Sequence, residues 1–161
     1  MTQQTPSSFL DEMKLHLKRP CLIIADLERS LTLYRDVLGF RVDYISEEAS
    51  SESYLYTAFG FPPHAKLKFA ALSTDCEARS LALAEAKNID LPHPSLPHRA
   101  ATVIRVPEVP PIIEKVAQLG LKIVRANSFT APPNLCFTEQ GFCDWDGHLI
   151  ILYDVRQQEV L

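Results

Sequence analysis

Apolar residues along the chain switch between two spacings, and they do so twice. Leu17, Cys21, Leu22, Ile23 and Ile24 make residues 15–25 a first apolar strand. Leu27, Leu31, Tyr34 and Leu38 then recur every three or four residues, on one face of a helix, with Glu28, Arg29 and Arg35 on the other. Asp26 suits the cap of that helix, because its carboxylate accepts from free amides of the first turn, and Gly39 suits its end. Phe40, Val42 and Tyr44 alternate with Arg41 and Asp43, the period of a half-buried strand. Residues 47–64 keep neither period; they predict an irregular segment with room for a helical turn, closed by Pro62 and Pro63. Residues 66–72 and 79–86 predict a strand pair around the turn Ser73-Thr74-Asp75.

The plan then returns. Residues 100–106 predict a strand, and Pro110 and Pro111 fit the first turn of a helix, where a missing amide costs little. Ile112, Ile113, Val116 and Leu119 form its apolar stripe and Gly120 terminates it. Residues 121–124 predict a strand, 128–133 a loop and 135–143 another strand. Asp144-Trp145-Asp146-Gly147 has the composition of a turn, and residues 148–153 form the closing strand. Leu38-Gly39-Phe40-Arg41-Val42 is echoed by Leu119-Gly120-Leu121-Lys122-Ile123, so sequence repeats as well as pattern. The expected organisation is a tail (1–14, with a short amphipathic turn around Phe9, Leu10 and Met13), a first βαβββ module (15–88), a proline-stiffened linker (89–98), a second module (99–155) and a C-terminal tail (156–161).

Composition narrows the function classes. The chain has 161 residues, 47% of them hydrophobic and 22% charged, as in an ordinary globular domain. A formal net charge of −4, without a basic run, argues against a nucleic-acid partner. No apolar stretch approaches the ~20 residues that span a bilayer, and residues 1–8 lack the apolar core of a signal peptide, so a cytoplasmic protein without a membrane partner is expected. Cys21, Cys76, Cys136 and Cys143 include no Cys-x-x-Cys pair and fit small core residues of a reducing compartment.

Asp26-Leu-x-x-Ser30, Leu33-Tyr34 and Val37-Leu38-Gly39-Phe40, together with Asp144-Trp145-Asp146-Gly147-His148 in the second half, resemble the signatures of the vicinal oxygen chelate superfamily. Glyoxalases, bleomycin-resistance proteins and extradiol dioxygenases belong to it, and the resemblance covers residues 16–155. It implies an α+β fold of two βαβββ modules whose mixed sheets curl around a cleft, and a homodimer. It also implies where a metal would bind: metal-dependent members use His and Glu side chains from the first strand of each module, the fourth strand of the first and the last strand of the second. A divalent ion there acts as a Lewis acid on substrate oxygens. Counting back from Gly39 and Gly120 gives Arg19 and Ala101, and the closing strand gives Ile151. None of these side chains is a useful ligand. A slip of one residue gives Lys18 or Pro20, Ala100 or Thr102, Ile150 or Leu152, which does not restore one. His16, His98 and Asp154 lie three residues from those positions, on the opposite strand face, and His16 and His98 fit surface strand ends. Glu85 is the one carboxylate near the fourth position, with its register open; the alternative is an exposed strand-end glutamate. No cofactor is therefore expected, with a divalent metal kept as the alternative.

No Ser, Cys or Lys nucleophile comes with a recognisable base, and the five glycines form no phosphate loop. Arg19 and Arg105 have the strand parity to look into a cavity lined by Ile23, Val103, Ile151 and Tyr153. Such a pair suits a carboxylate or phosphate on an apolar ligand; the alternative is pairing with acidic groups at strand ends. Cys21 shares the parity of Arg19, either as a thiolate-prone group beside that cation or as a core residue, and Trp145 is either a lid or packing. The expected function is metal-free binding of a small, largely apolar, anionic molecule by Arg19, Cys21, Glu85, Arg105, Ile151 and Tyr153. One alternative is a divergent enzyme: a metal-dependent lyase, isomerase or dioxygenase, or a metal-free catalyst using Glu85, Arg19 or Cys21. Another is an interaction protein whose cleft its own side chains fill.

Overall fold

Strand, helix and three strands follow one another in each half of the computed structural model, which describes residues 14–158. The first half contains β1 (Cys21–Ile24), α1 (Leu27–Leu31) continued by a π-helical segment (Thr32–Val37), β2 (Arg41–Ile45), α2 (Tyr54–Phe59), β3 (Lys66–Ser73) and β4 (Leu81–Lys87). The second contains β5 (Thr102–Arg105), α3 (Val109–Gln118), β6 (Asn127–Ala131), β7 (Leu135–Cys143) and β8 (Leu149–Gln157). Two four-stranded mixed sheets result, ordered β1-β4-β3-β2 and β5-β8-β7-β6. The outer pairs β1–β4 and β5–β8 are parallel and the rest antiparallel, so one topology is built twice in an α+β fold. No helix among the described residues is long and apolar enough to cross a membrane.

Local chemistry explains these elements. The Asp26 carboxylate accepts from the Arg29 amide at 2.9 Å and starts α1. Five-residue bonding, with the Leu38 amide on the Leu33 carbonyl at 2.9 Å, widens the helix before Gly39 turns left-handed at φ +88°. Leu27, Leu31, Leu33 and Tyr34 from this helix join Ile24, Leu72 and Leu83 in the core. Val109, Ile113 and Val116 of α3, with Phe142, Ile150 and Leu152, belong to the same cluster. The two halves of one chain therefore pack against each other and share a core, with α3 against the π-helical segment.

Several expectations are corrected. Only Cys21–Ile24 of residues 15–25 pairs as strand; Leu15 and Leu17 precede it 98% and 93% exposed. Residues 121–124 make a single bridge, Ile123 with Phe142, while residues 128–133, expected as a loop, hold most of β6. The polar Ser128 and Thr130 hid a strand period whose apolar member, Phe129, stacks on Phe137 at 4.9 Å. The helical turn expected within residues 47–64 is α2, begun by Ser53 and ended by Gly60. The closing strand runs to Gln157 and absorbs the start of the expected C-terminal tail. The amphipathic turn around Phe9, Leu10 and Met13 lies outside the described residues.

A buried carboxylate ties the last strand of each module to that module's helix. Glu85 on β4 accepts from the Leu27 amide at 2.6 Å, and Asp154 on β8 accepts from the Val109 amide at 2.7 Å. Each satisfies a first-turn donor that the helix itself cannot. Glu85→Ala strands that buried amide, so unfolding free energy by urea titration is expected to fall by about 1–3 kcal/mol. An unchanged midpoint would show that the anchor contributes nothing.

Candidate functional site: the seam between the modules

Strand register decides which side chains reach the cleft. Cys21 pairs with Ala82, Ile23 with Ala84 and Ile24 with Glu85. Alternation then puts Cys21, Ile23, Ala82 and Ala84 on one face, and Ile24 and Glu85 on the other, which the helix covers. Glu85, expected in the cleft, therefore lies on the opposite side of the sheet and anchors α1. The equivalence of the two anchors matches Leu27 with Val109 and Glu85 with Asp154, and hence Arg19 with Ala101 and Ala82 with Ile151. The four metal positions that the resemblance implies then fall at Arg19, Ala82, Ala101 and Ile151. A guanidinium, two methyls and a butyl group offer no lone pair to a divalent ion, so these residues do not fit the family's metal. Among the described residues no group of three His, Cys, Asp or Glu side chains can hold one elsewhere.

Arg19 and Arg105 come together. Both line a cavity of about 550 Å³ between the segment leading into β1, the β3–β4 turn and β5, with Leu17, Phe40, Leu81 and Val103 as apolar walls. Neither guanidinium forms an ion pair among the described residues. Arg19 lies 5.7 Å over the Phe69 ring and donates at 3.4 Å to the Arg79 carbonyl. The alternative of strand-end pairing with acids is not what the structure has. Glu77 also lines the cavity, its carboxylate bonded to the Thr74 hydroxyl. The Ser80 hydroxyl oxygen is buried there without a hydrogen-bond partner. Thr74, Glu77 and Ser80 were missed in the sequence because nothing in a turn's composition says that it folds back over a strand edge.

The other expected residues disperse along the seam. Cys21 lines an adjoining cavity of about 360 Å³ with Leu22, His98, Arg99, His148 and Leu149. Burial pushes its thiol pKa up and outweighs the opposing pull of Arg19, so Cys21 is not the thiolate-prone group the sequence left open. Ile151 turns into a third cavity, of about 290 Å³, with His98, Glu139 and Gly141. Tyr153 stands between Arg105 and Glu139 in the strand register. His98 is half-buried, 3.5 Å from the Cys143 sulfur. The first module's half of the concave surface is partly filled by the chain itself: Leu55, Tyr56, Phe61, Ile89 and Leu91 cover Ala65, Leu67 and Ala86. Open space is left at the seam and over the second sheet.

The turn Asp144–His148 sets the seam. Asp144 accepts from the amides of Asp146 at 3.0 Å and His148 at 2.8 Å, and from the Tyr34 hydroxyl at 2.8 Å. Asp146 accepts from the Ala25 amide at 3.0 Å, and His148 Nε2 donates to the Ile23 carbonyl at 2.7 Å. Arg29 lies 3.6 Å from Asp146 and 5.4 Å over Trp145, which makes Trp145 packing rather than a lid. Gly147 sits at φ +86°, and a Cβ there would meet the Pro94 ring at 2.6 Å, so the linker is pressed against this turn.

The chain matches the model of the Glyoxalase/Bleomycin resistance protein/Dioxygenase superfamily over residues 16–152. It belongs to that superfamily. Among solved structures, a glyoxalase family protein from Bacillus cereus is similar with a TM-score of 0.68 at 13% identity, covering 88% of this chain and 95% of its own. The trypanothione-dependent glyoxalase I of Leishmania major gives 0.56 at 16% identity, with 88% and 87% covered. The fosfomycin resistance protein FosX of Listeria monocytogenes, complexed with Mn(II) and sulfate, gives 0.57 at 15%, with 88% and 93% covered. At such identities these likenesses show the shared fold. No curated protein matches the chain.

Burial, ahead of the opposing Ala25 amide, raises the Asp146 carboxyl pKa. A folded-state value above the unfolded one means the native state binds the proton more tightly, so this group's stabilisation is present at low pH and is lost as pH rises through and just above the usual carboxylate range near ~4. Wild-type protein is therefore expected to lose stability relative to Asp146→Asn between about pH 3 and 6 in denaturant titrations. A difference constant across that range would contradict the assignment.

Proposed function

We propose that the protein binds a small, largely apolar, anionic molecule in the seam between its modules without the superfamily's divalent ion. The carrying observation is the pair Arg19 and Arg105, two guanidiniums without ion-pair partners in one apolar-walled cavity. Arg19 is half-buried without an ion-pair partner, which is unfavourable, and a ligand carboxylate shared with the exposed Arg105 removes that penalty while its body displaces water from Phe40, Leu81 and Val103. The side chains at the four metal positions support the metal-free part, since none of them offers a divalent ion a ligand and one, Arg19, is a guanidinium.

Protein purified without chelator is expected to carry far less than one divalent ion per chain, with a melting temperature indifferent to EDTA. A ligand at ~100 times its Kd adds about 2.7 kcal/mol to stability, so an apolar carboxylate such as phenylacetate should raise the melting temperature. Arg19→Ala and Arg105→Ala should each weaken binding roughly ten- to hundredfold, the value of a hydrogen bond to a charged group. Stoichiometric zinc, manganese or iron, or binding indifferent to both arginines, would overturn the proposal.

A further inference from the structure

The two seam cavities adjoin, with Pro20, Ala101 and Thr102 as shared walls; Arg19 and Arg105 line the first and Arg99 the second. Arg99, like the other two, has no ion-pair partner among the described residues. The two histidines at that end are already engaged, His98 with Cys143 and His148 with the Ile23 carbonyl. Between the ends the walls are Pro20, Leu22, Ala101 and Val103. At ~3.3 Å per residue, the stretch from Arg99 to Arg105 spans at most roughly 20 Å.

We infer that the two adjoining cavities act as one groove for an elongated apolar dianion, an α,ω-dicarboxylate whose two acid groups sit at Arg19/Arg105 and at Arg99. Charge balance selects carboxylate over phosphate at the first end. Two guanidiniums face one carboxylate there, Glu77, which leaves a single positive charge for a single negative one. The second end holds one uncommitted guanidinium and again matches a monoanion. The methylene chain between the acids lies on the apolar middle of the seam, where each buried CH₂ strengthens binding about three- to fourfold. The inference presupposes the anion-binding cavity proposed above and adds the second acid group and the length.

Isothermal titration with succinate, decanedioate, decanoate and phenylacetate separates the two claims. Decanedioate is expected to bind more than tenfold tighter than succinate, which cannot span the groove, and about fivefold tighter than decanoate, the contribution of a partly solvated ion pair. Arg99→Ala should erase the difference between decanedioate and decanoate and leave decanoate unchanged. Arg105→Ala should weaken both. If decanoate and phenylacetate bind but a second acid brings no gain, or the gain survives Arg99→Ala, the dicarboxylate assignment is overturned and the anion-binding cavity stands. If none of the four binds, both fall.

Discussion

Asp144 holds the two modules in register. Its side chain is almost fully removed from water, and a carboxylate in that position is costly unless donors replace the lost hydration. Three do: two amides of its own turn and, across the module boundary, the Tyr34 hydroxyl of the first helix. Burial and the neighbouring Asp144 and Asp146 charges raise the Tyr34 pKa well above its ordinary value, which keeps the hydroxyl a donor. With Asp144 fixed, Asp146 and His148 are aimed at the Ala25 amide and the Ile23 carbonyl at the end of β1. The separation between β1 and β5 follows from those bonds. So does the seam, because the two edge strands stand apart instead of pairing into one sheet.

The repeated architecture was legible because both modules use the same devices. Helical spacing of Leu27, Leu31 and Tyr34, and a left-handed glycine at Gly39 and Gly120, are local features that write themselves into local sequence. β6 was illegible for an equally local reason: Ser128 and Thr130 face water on a strand whose stability comes from Phe137 on its neighbour. Which of the polar groups at the seam would be buried was invisible too, since Ser80 and Thr74 meet Arg19 and Arg105 only through the fold.

Glu85 shows how one residue of register separates chemistry from structure. Counting along the sequence places it near a ligand position, but pairing with Ile24 turns it onto the helix side, where its partner is the Leu27 amide. Asp154 repeats the arrangement in the second module. The same two bonds that hold the helices also calibrate the modules against each other, and that calibration puts methyl groups at Ala82 and Ala101. The superfamily's framework is kept, and under the proposed function the polar character of its cleft moves from metal ligands to arginines.

Nitrogen-15 NMR of the arginine side chains tests that shift most directly, because it reads the guanidiniums themselves. With chelator present, titration of phenylacetate should move the Nε–Hε resonances of Arg19 and Arg105 together and to saturation. The Arg29 resonance, held between Asp146 and Trp145, should stay in place. Stationary Arg19 and Arg105 signals at ligand concentrations that shift the melting temperature would place the anion elsewhere and contradict the assignment of the seam.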